Sequence, residues 1–112
     1  MIASGSIFIE GAGDWQTVAP GVRRKLFGYD STIMMVVVRF DEGAVGALHD
    51  HPHRQATYVA EGEFEVTISG EQRTLRAGDG FFVPPGAAHG ARALTAGTLV
   101  DVFAPAREDF VA

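Results

Sequence analysis

Two stretches of the sequence space histidine, glycine and proline in an ordered way: GAVGALHDHPHRQATYVAEG at 43–62 and GDGFFVPPGAAH at 78–89. They contain every histidine of the chain, at His49, His51, His53 and His89. On a β-strand His49, His51 and Gln55 share a parity and point to one face. Convergent imidazoles on rigid elements are what a metal site requires. The stretches therefore predict a metal site, with a solvated histidine-rich loop as the alternative.

The sequence around these stretches predicts an all-β fold. The 14 glycines are spread along the 112 residues and separate short runs rich in Val, Ile, Phe and Thr, the pattern of short strands joined by tight turns. We expect strands at 22–29, 31–40, 46–51, 55–60, 63–69, 72–76, 81–84, 89–94 and 98–104. The apolar segment 31–40 predicts a strand covered on both faces. A turn is expected near 14–18, and hairpin turns at 61–62 and 95–97. At this size the strands would close into one small barrel.

Composition excludes several classes of protein. Nine Lys and Arg against 14 Asp and Glu give a formal charge of −5, which argues against nucleic-acid binding. The absence of cysteine excludes disulfides and thiolate ligands. The longest apolar run, 33–38, is too short to span a bilayer, so no membrane partner is expected. The first residues lack the basic segment of a signal peptide, and a cytoplasmic location is predicted.

The spacing of the two stretches resembles the two signature motifs of the cupin superfamily. The matching positions are Gly43, His49, His51, Gln55 and Gly62, followed by Gly78, Pro84, Gly86 and His89. The resemblance implies one cupin domain over 1–112, with a double-stranded β-helix (jelly-roll) barrel at about 20–104, an N-terminal arm at 1–19 and a tail at 105–112. It also implies one divalent ion per chain (Zn, Ni, Fe, Mn or Co) held by His49, His51, Gln55 and His89.

Two positions depart from that pattern. Gln55 stands where most cupins have Glu, and Ala93 where the second motif usually ends in Asn. A neutral amide ligand leaves a divalent site at +2 instead of +1, which favours an anionic substrate and Lewis-acid chemistry. The alternative is that the chain, with Gln in place of Glu, no longer binds a metal. His53 is predicted at the rim of the site.

The last predicted strand carries a carboxylate among apolar neighbours, LVDVF at 99–103. Burying Asp101 is costly unless the group is paired or functional. Asp101 and Phe103 share a face, and Arg107 follows in a segment that can fold over the barrel mouth. One interpretation is a guanidinium that binds a substrate carboxylate. The other is a structural Asp101–Arg107 ion pair that holds the tail.

The ligand stretch and the C-terminal DVFAPAREDF at 101–110 together resemble the KdgF type of small cupin. That resemblance implies ring opening of 4,5-unsaturated uronic acid monosaccharides, released from pectin or alginate, to linear keto forms. It makes Asp101, Phe103 and Arg107 catalytic residues. Arg54 departs from the acidic residue expected in many relatives, which bears on specificity. An iron dioxygenase and a non-catalytic sugar-acid binding module stay open as alternatives.

A homodimer is also expected. The apolar Ile7-Phe8-Ile9 has no evident place inside a small barrel, and exposed sheet edges tend to be covered. The resemblance to cupins points the same way.

Overall fold

A computed structural model describes residues 2–111, so the terminal residues Met1 and Ala112 of the expected arm and tail lie outside the described residues. Apart from one short 3-10 helix, the regular secondary structure of the described part is β-strand, which confirms the predicted fold class. The strands are β1 (Gln16–Ala19), β2 (Val22–Tyr29), β3 (Met34–Phe40), β4 (Val45–His49), β5 (Arg54–Glu61), β6 (Glu63–Ile68), β7 (Glu71–Arg76), β8 (Gly80–Val83), β9 (His89–Ala93) and β10 (Gly97–Ala104). A 3-10 helix follows at Glu108–Phe110. Across 2–111 no helix is long and apolar enough to cross a membrane.

The strands form two sheets. One has six strands in the order β1-β2-β3-β10-β5-β8, and the other has four in the order β4-β9-β6-β7. Neighbouring strands are antiparallel in both sheets. The chain passes from sheet to sheet between β3 and β4, β4 and β5, β5 and β6, β7 and β8, β8 and β9, and β9 and β10. This is the predicted jelly roll.

The two hairpins predicted at 61–62 and 95–97 are wrong. β5 pairs with β10 and β8, whereas β6 pairs with β7 and β9, so both turns carry the chain between sheets. The two turns also pack closely against each other. Gly62 (φ +83°) lies so near the second turn that a Cβ atom at this position would be only 2.6 Å from the carbonyl oxygen of Ala96. Turn residues indicate where the chain reverses, but they do not select the strand that pairs next.

Two smaller expectations also need correction. The segment near 14–18, expected as a turn, contributes to the edge strand β1, whose Gln16 pairs with Arg24 of β2. The strand predicted at 31–40 begins only at Met34 and is covered on one face. Val36 is fully buried, but Met35 is 40% exposed. An apolar side chain on the outer face is therefore compatible with a strand that packs on one side only.

The core divides into two clusters along the inward face of β10. The first comprises Val22, Phe40, Val59, Phe64, Val66, Ala93 and Leu99, and the second comprises Met34, Val36, Phe103 and Ala106. On β10 the inward residues run in the order Leu99, Asp101, Phe103, so Asp101 lies between members of the two clusters. The barrel thus places one carboxyl group in an apolar interior.

Candidate metal centre and active site

Three histidines converge at one end of the four-stranded sheet. His49 ends β4 and pairs in register with His89, which begins β9. His51 follows in the loop before β5, and one ring nitrogen from each of the three lies within 4.8 Å of the others. His51 and His89 are buried, at 6% and 3% exposure. His49 is exposed, but the three rings converge and two of them are withdrawn from solvent, which is not the arrangement of a solvated histidine-rich loop. The three imidazoles can hold a metal ion.

Main-chain carbonyl groups fix which nitrogen of each ring faces the centre. Each Nδ1 lies at hydrogen-bond distance from a carbonyl oxygen: that of His49 from Ala47 (2.8 Å), that of His51 from His53 (3.1 Å) and that of His89 from Ala87 (2.9 Å). A carbonyl oxygen only accepts, so each Nδ1 must carry the proton. Each Nε2 then presents a lone pair, which is the arrangement that orients histidine ligands in metal sites.

Gln55 completes the cluster from the start of β5. Its Oε1 lies 3.0 Å from Nε2 of His51 and 3.1 Å from Nε2 of His89. In these tautomers Nε2 of His51, Nε2 of His89 and Oε1 of Gln55 point lone pairs toward one another, with no proton between them. A bound cation would accept all of these lone pairs. Three imidazole nitrogens and one neutral oxygen suit a divalent transition metal, so the residues present fit the metal that the sequence predicts.

Burial also favours the neutral form of two of the imidazoles. Burial lowers the pKa of His51 and of His89 below the ordinary histidine value. Two smaller effects oppose the shift: the bond that a protonated His51 would give to the Gln55 oxygen, and the bond from His89 to the carbonyl of Ala87. A metal binds only the neutral form of imidazole. Proton competition at neutral pH is therefore weakened at these two positions.

Asp101 faces the same interior from β10. It pairs across strands with Thr57 of β5 and Val36 of β3, and its Oδ1 accepts a hydrogen bond of 2.7 Å from the Thr57 hydroxyl. Burial raises the pKa of Asp101 to about 6, against the lowering effect of that hydrogen bond. Asp101 lines a cavity of about 80 Å³ together with His49, Gln55, His89, Phe81 and Leu99. A carboxyl group with this pKa can exchange a proton near neutral pH.

Phe103 and Arg107 lie on the C-terminal side of the cluster. The Phe103 ring packs edge-on against His51 with 5.6 Å between centroids, and its side chain is 3% exposed. Arg107 places its guanidinium 5.3 Å from the Phe103 ring centroid. Its ion-pair partner is Asp109, at 3.0 Å, so the alternative Asp101–Arg107 pair is not formed. The positive charge of Arg107 instead acts at a distance, as the smallest of the effects that lower the pKa of Asp101.

His53 and Arg54 occupy different environments. The His53 ring lies 5.4 Å from that of His51, and its buried Nδ1 has no hydrogen-bond partner among residues 2–111. Arg54 is exposed and has the parity opposite to Gln55, so it lies on the outer face of β5. Its charge therefore does not line the cavity.

Two residues of this region, Thr57 and Phe110, were given no role in the sequence analysis. Thr57 bridges Gln55 and Asp101, and its position two residues after Gln55 was a signal that it shares the ligand face. Phe110 packs against Phe103 at 5.7 Å and beneath Arg107 at 4.3 Å. No periodic pattern marked Phe110, because it reaches the site through a single 3-10 turn.

A two-sheet jelly roll that gathers these imidazoles at one end defines a cupin metal site. The chain belongs to the cupin family, since the cupin domain model matches residues 36–103. Within that family it groups with the KdgF proteins. It is 41% identical over 106 residues to the pectin degradation protein KdgF of Dickeya dadantii (strain 3937), covering 93% of this chain and 96% of that protein.

Solved structures agree with this placement. The structure of KdgF from a Halomonas species matches with a TM-score of 0.91 and 45% identity, over 96% of this chain and 99% of that one. An RmlC-like cupin from Shewanella frigidimarina NCIMB 400 matches with a TM-score of 0.95 and 43% identity, over 98% and 99% of the two chains. The resemblance inferred from the sequence motifs is thereby confirmed over nearly the whole chain.

Proposed function

We propose that this chain is a metal-dependent enzyme that opens the ring of 4,5-unsaturated uronic acid monosaccharides, released from pectin or alginate, to linear keto forms. The observation that carries the proposal is the placement of Asp101, with a pKa near 6, in the cavity that also contains His49, Gln55 and His89. The similarity to KdgF supports the choice of substrate.

The reaction needs proton transfers and no outside oxidant. Opening the hemiacetal removes the proton of the anomeric hydroxyl and breaks the bond to the ring oxygen, which leaves as an enol. The enol then gains a proton at carbon and loses its hydroxyl proton to become a ketone, so the product is an isomer of the substrate. Asp101 acts as the general acid and base of these steps, since among residues 2–111 it is the carboxyl group that lines the cavity.

Arg107 and Phe103 hold the substrate in this scheme. Arg107 shares part of its guanidinium with Asp109, and it offers its remaining N–H donors to the substrate carboxylate. Phe103 shapes the wall of the subsite through its edge contact with His51. The apolar side chains around the cavity limit the access of water to Asp101.

His49, His51, Gln55 and His89 would hold one divalent ion. When bound, the metal supplies positive charge and Lewis acidity that polarise and position substrate oxygens. The neutral Gln55 contributes no charge to the site and so preserves that positive charge. The donor set suits Zn, Ni, Fe, Mn or Co.

The function is tested by proton NMR. Metal-loaded protein is mixed with unsaturated galacturonate and with the unsaturated product of guluronate, and linear keto species are followed against the same sugars without protein. Formation faster than the spontaneous rate, lost on chelation, supports the proposal. Oxygen consumption by the iron form alone would indicate a dioxygenase. Thermal stabilisation by the sugars without product would indicate a binding module.

We also propose that the enzyme is a cytoplasmic homodimer. Support for self-association comes from the outer face of the six-stranded sheet, where Tyr58, Phe82 and Met35 are 54%, 55% and 40% exposed. Cross-strand pairing joins Met35, Val102, Ala56 and Phe82 into one apolar row, and a contiguous exposed row of this kind marks an interaction surface. A monomer by light scattering at micromolar concentration would refute the dimer.

A further inference from the structure

Thr57 joins the amide of Gln55 to the carboxyl group of Asp101. It lies two residues after Gln55 on the same face of β5 and directly opposite Asp101 of β10. Its side chain is buried, and its Oγ1 lies 3.0 Å from Nε2 of Gln55 and 2.7 Å from Oδ1 of Asp101. One hydroxyl therefore contacts both a ligand candidate and the acid-base candidate.

The direction of these hydrogen bonds follows from the groups themselves. An ionised carboxylate only accepts, so Thr57 gives its single hydroxyl proton to Asp101. The hydroxyl oxygen can then only accept a bond from Gln55, which must turn its amide nitrogen toward Thr57. The amide oxygen is thereby directed toward His51 and His89, where a metal ligand is needed.

The opposite orientation of the amide would compete strongly in the metal-free protein. A flipped Gln55 would donate N–H bonds to the lone pairs on Nε2 of His51 and His89, and it would satisfy these imidazoles without a cation. In that orientation Thr57 would face the amide oxygen and would have one proton for two acceptors. The Asp101–Thr57 bond opposes the flip, because leaving a buried acceptor unpaired is costly.

The same hydroxyl also holds the Asp101 carboxyl group. The hydrogen bonds that Asp101 receives from residues 2–111 end on Oδ1, from Thr57 and at 3.4 Å from Gln55. Oδ2 has no such partner within that range. One oxygen is thus tied to the β5 strand, and the other is left for a group in the cavity.

We infer that Thr57 is a positioning residue: its hydroxyl directs the Gln55 oxygen toward the metal and holds the Asp101 carboxyl group for proton transfer. The kinetic half of this inference rests on the proposed function, whereas the metal-affinity half does not. Positioning groups of this kind typically change metal affinity or activity by about 10- to 100-fold.

The test compares Thr57→Val, which keeps the branched shape and removes the hydroxyl, with Thr57→Ser, which keeps the hydroxyl. Thr98→Val is the matched control, because Thr98 is also buried on the β5–β10 pair and its hydroxyl bonds a carboxylate, that of Glu61 at 3.1 Å. Co²⁺ affinity is measured by titration calorimetry, and the visible Co²⁺ spectrum reports the ligand set. Steady-state kinetics on the unsaturated uronate give kcat and KM separately.

Thr57→Val should weaken Co²⁺ binding by about tenfold, alter the Co²⁺ spectrum and lower kcat by about tenfold or more with little change in KM. Thr57→Ser should stay within about threefold of wild type, as should Thr98→Val. If Thr57→Val does not fold, Thr57→Ala replaces it in the same comparison.

Wild-type Co²⁺ affinity and spectrum in the hydroxyl-free variant would overturn the inference, as would a serine variant as impaired as the valine variant. If wild-type protein opens no uronate, the proposed function is wrong, and the Co²⁺ measurements alone then decide the role of Thr57.

Discussion

The amide oxygen of Gln55 lies 3.1 Å from Nε2 of His89, although neither atom can donate to the other in the tautomer that the carbonyl of Ala87 imposes on the histidine. Two acceptors held in contact repel unless a cation lies between them. Strands β5 and β9 belong to different sheets, so this contact also joins the two halves of the barrel. Metal binding and the stability of the fold are therefore expected to be coupled.

The first prediction concerns this coupling. Divalent metal at 100 times its Kd should stabilise the folded protein by about 2.7 kcal/mol, seen as a rise in Tm in differential scanning calorimetry. His89→Ala should abolish the rise because it removes a ligand. His53→Ala is the control, since only the backbone of His53 contacts His51 through a hydrogen bond. An equal rise in the His89 variant would contradict the assignment of ligands.

Gln55→Glu tests the role of a neutral ligand. A carboxylate would bind the metal more tightly but reduce the charge of the site from +2 to +1, so an anionic substrate should bind more weakly. We expect metal Kd to fall and KM to rise by roughly five- to tenfold. A lower KM in this variant would show that site charge does not attract the substrate.

Asp101→Asn should keep the metal and lose turnover. The amide is nearly isosteric with the carboxyl group and lies outside the proposed ligand set, but it cannot exchange a proton at neutral pH. A general acid-base residue contributes about 10²- to 10⁴-fold, so kcat should fall by at least 100-fold while metal content measured by elemental analysis is unchanged. Retained turnover would exclude proton transfer by Asp101.

The pH dependence of metal-free stability should report the burial of Asp101. Folding raises the pKa of this acid from 3.8 to about 6, so the fold favours the protonated form. The resulting contribution of Asp101 to the free energy of unfolding is complete below about pH 4 and is lost as the pH rises through 6. Relative to metal-free Asp101→Asn, the wild type should lose about 2 kcal/mol between pH 4 and pH 7. Urea unfolding of both proteins at both pH values measures this difference in the free energy of unfolding. The same change with pH in wild type and in Asp101→Asn would refute the prediction.

Arg107→Lys should separate substrate binding from chemistry. Lysine keeps the charge but cannot form the two-pronged bond that a guanidinium makes with a carboxylate. KM should rise by about tenfold with a smaller change in kcat. Arg92→Lys is the control, because Arg92 forms a comparable but exposed pair with Glu65 at 3.5 Å. A fall in kcat alone would place Arg107 outside carboxylate binding.

Much of the site was predictable because it depends on local order. Alternation along a strand placed Asp101 on the same face as Phe103, and the spacing of His49, His51 and Gln55 marked them as ligand candidates, although they converge from β4, the following loop and β5. The Gly, Pro and His spacing then identified the cupin family. These features depend on strand parity and turn chemistry, which short stretches of sequence encode directly.

The sequence by itself thus determined the all-β class, the family and the candidate ligands. Only the tertiary structure decided that the turns at 61–62 and 95–97 cross between sheets, that Arg107 pairs with Asp109, and that Thr57 links Gln55 to Asp101. The physical reason is that strand partners and side-chain pairs are selected by burial between segments far apart in the chain. Parity fixes the face on which a residue lies, but it does not fix the residue that it meets there.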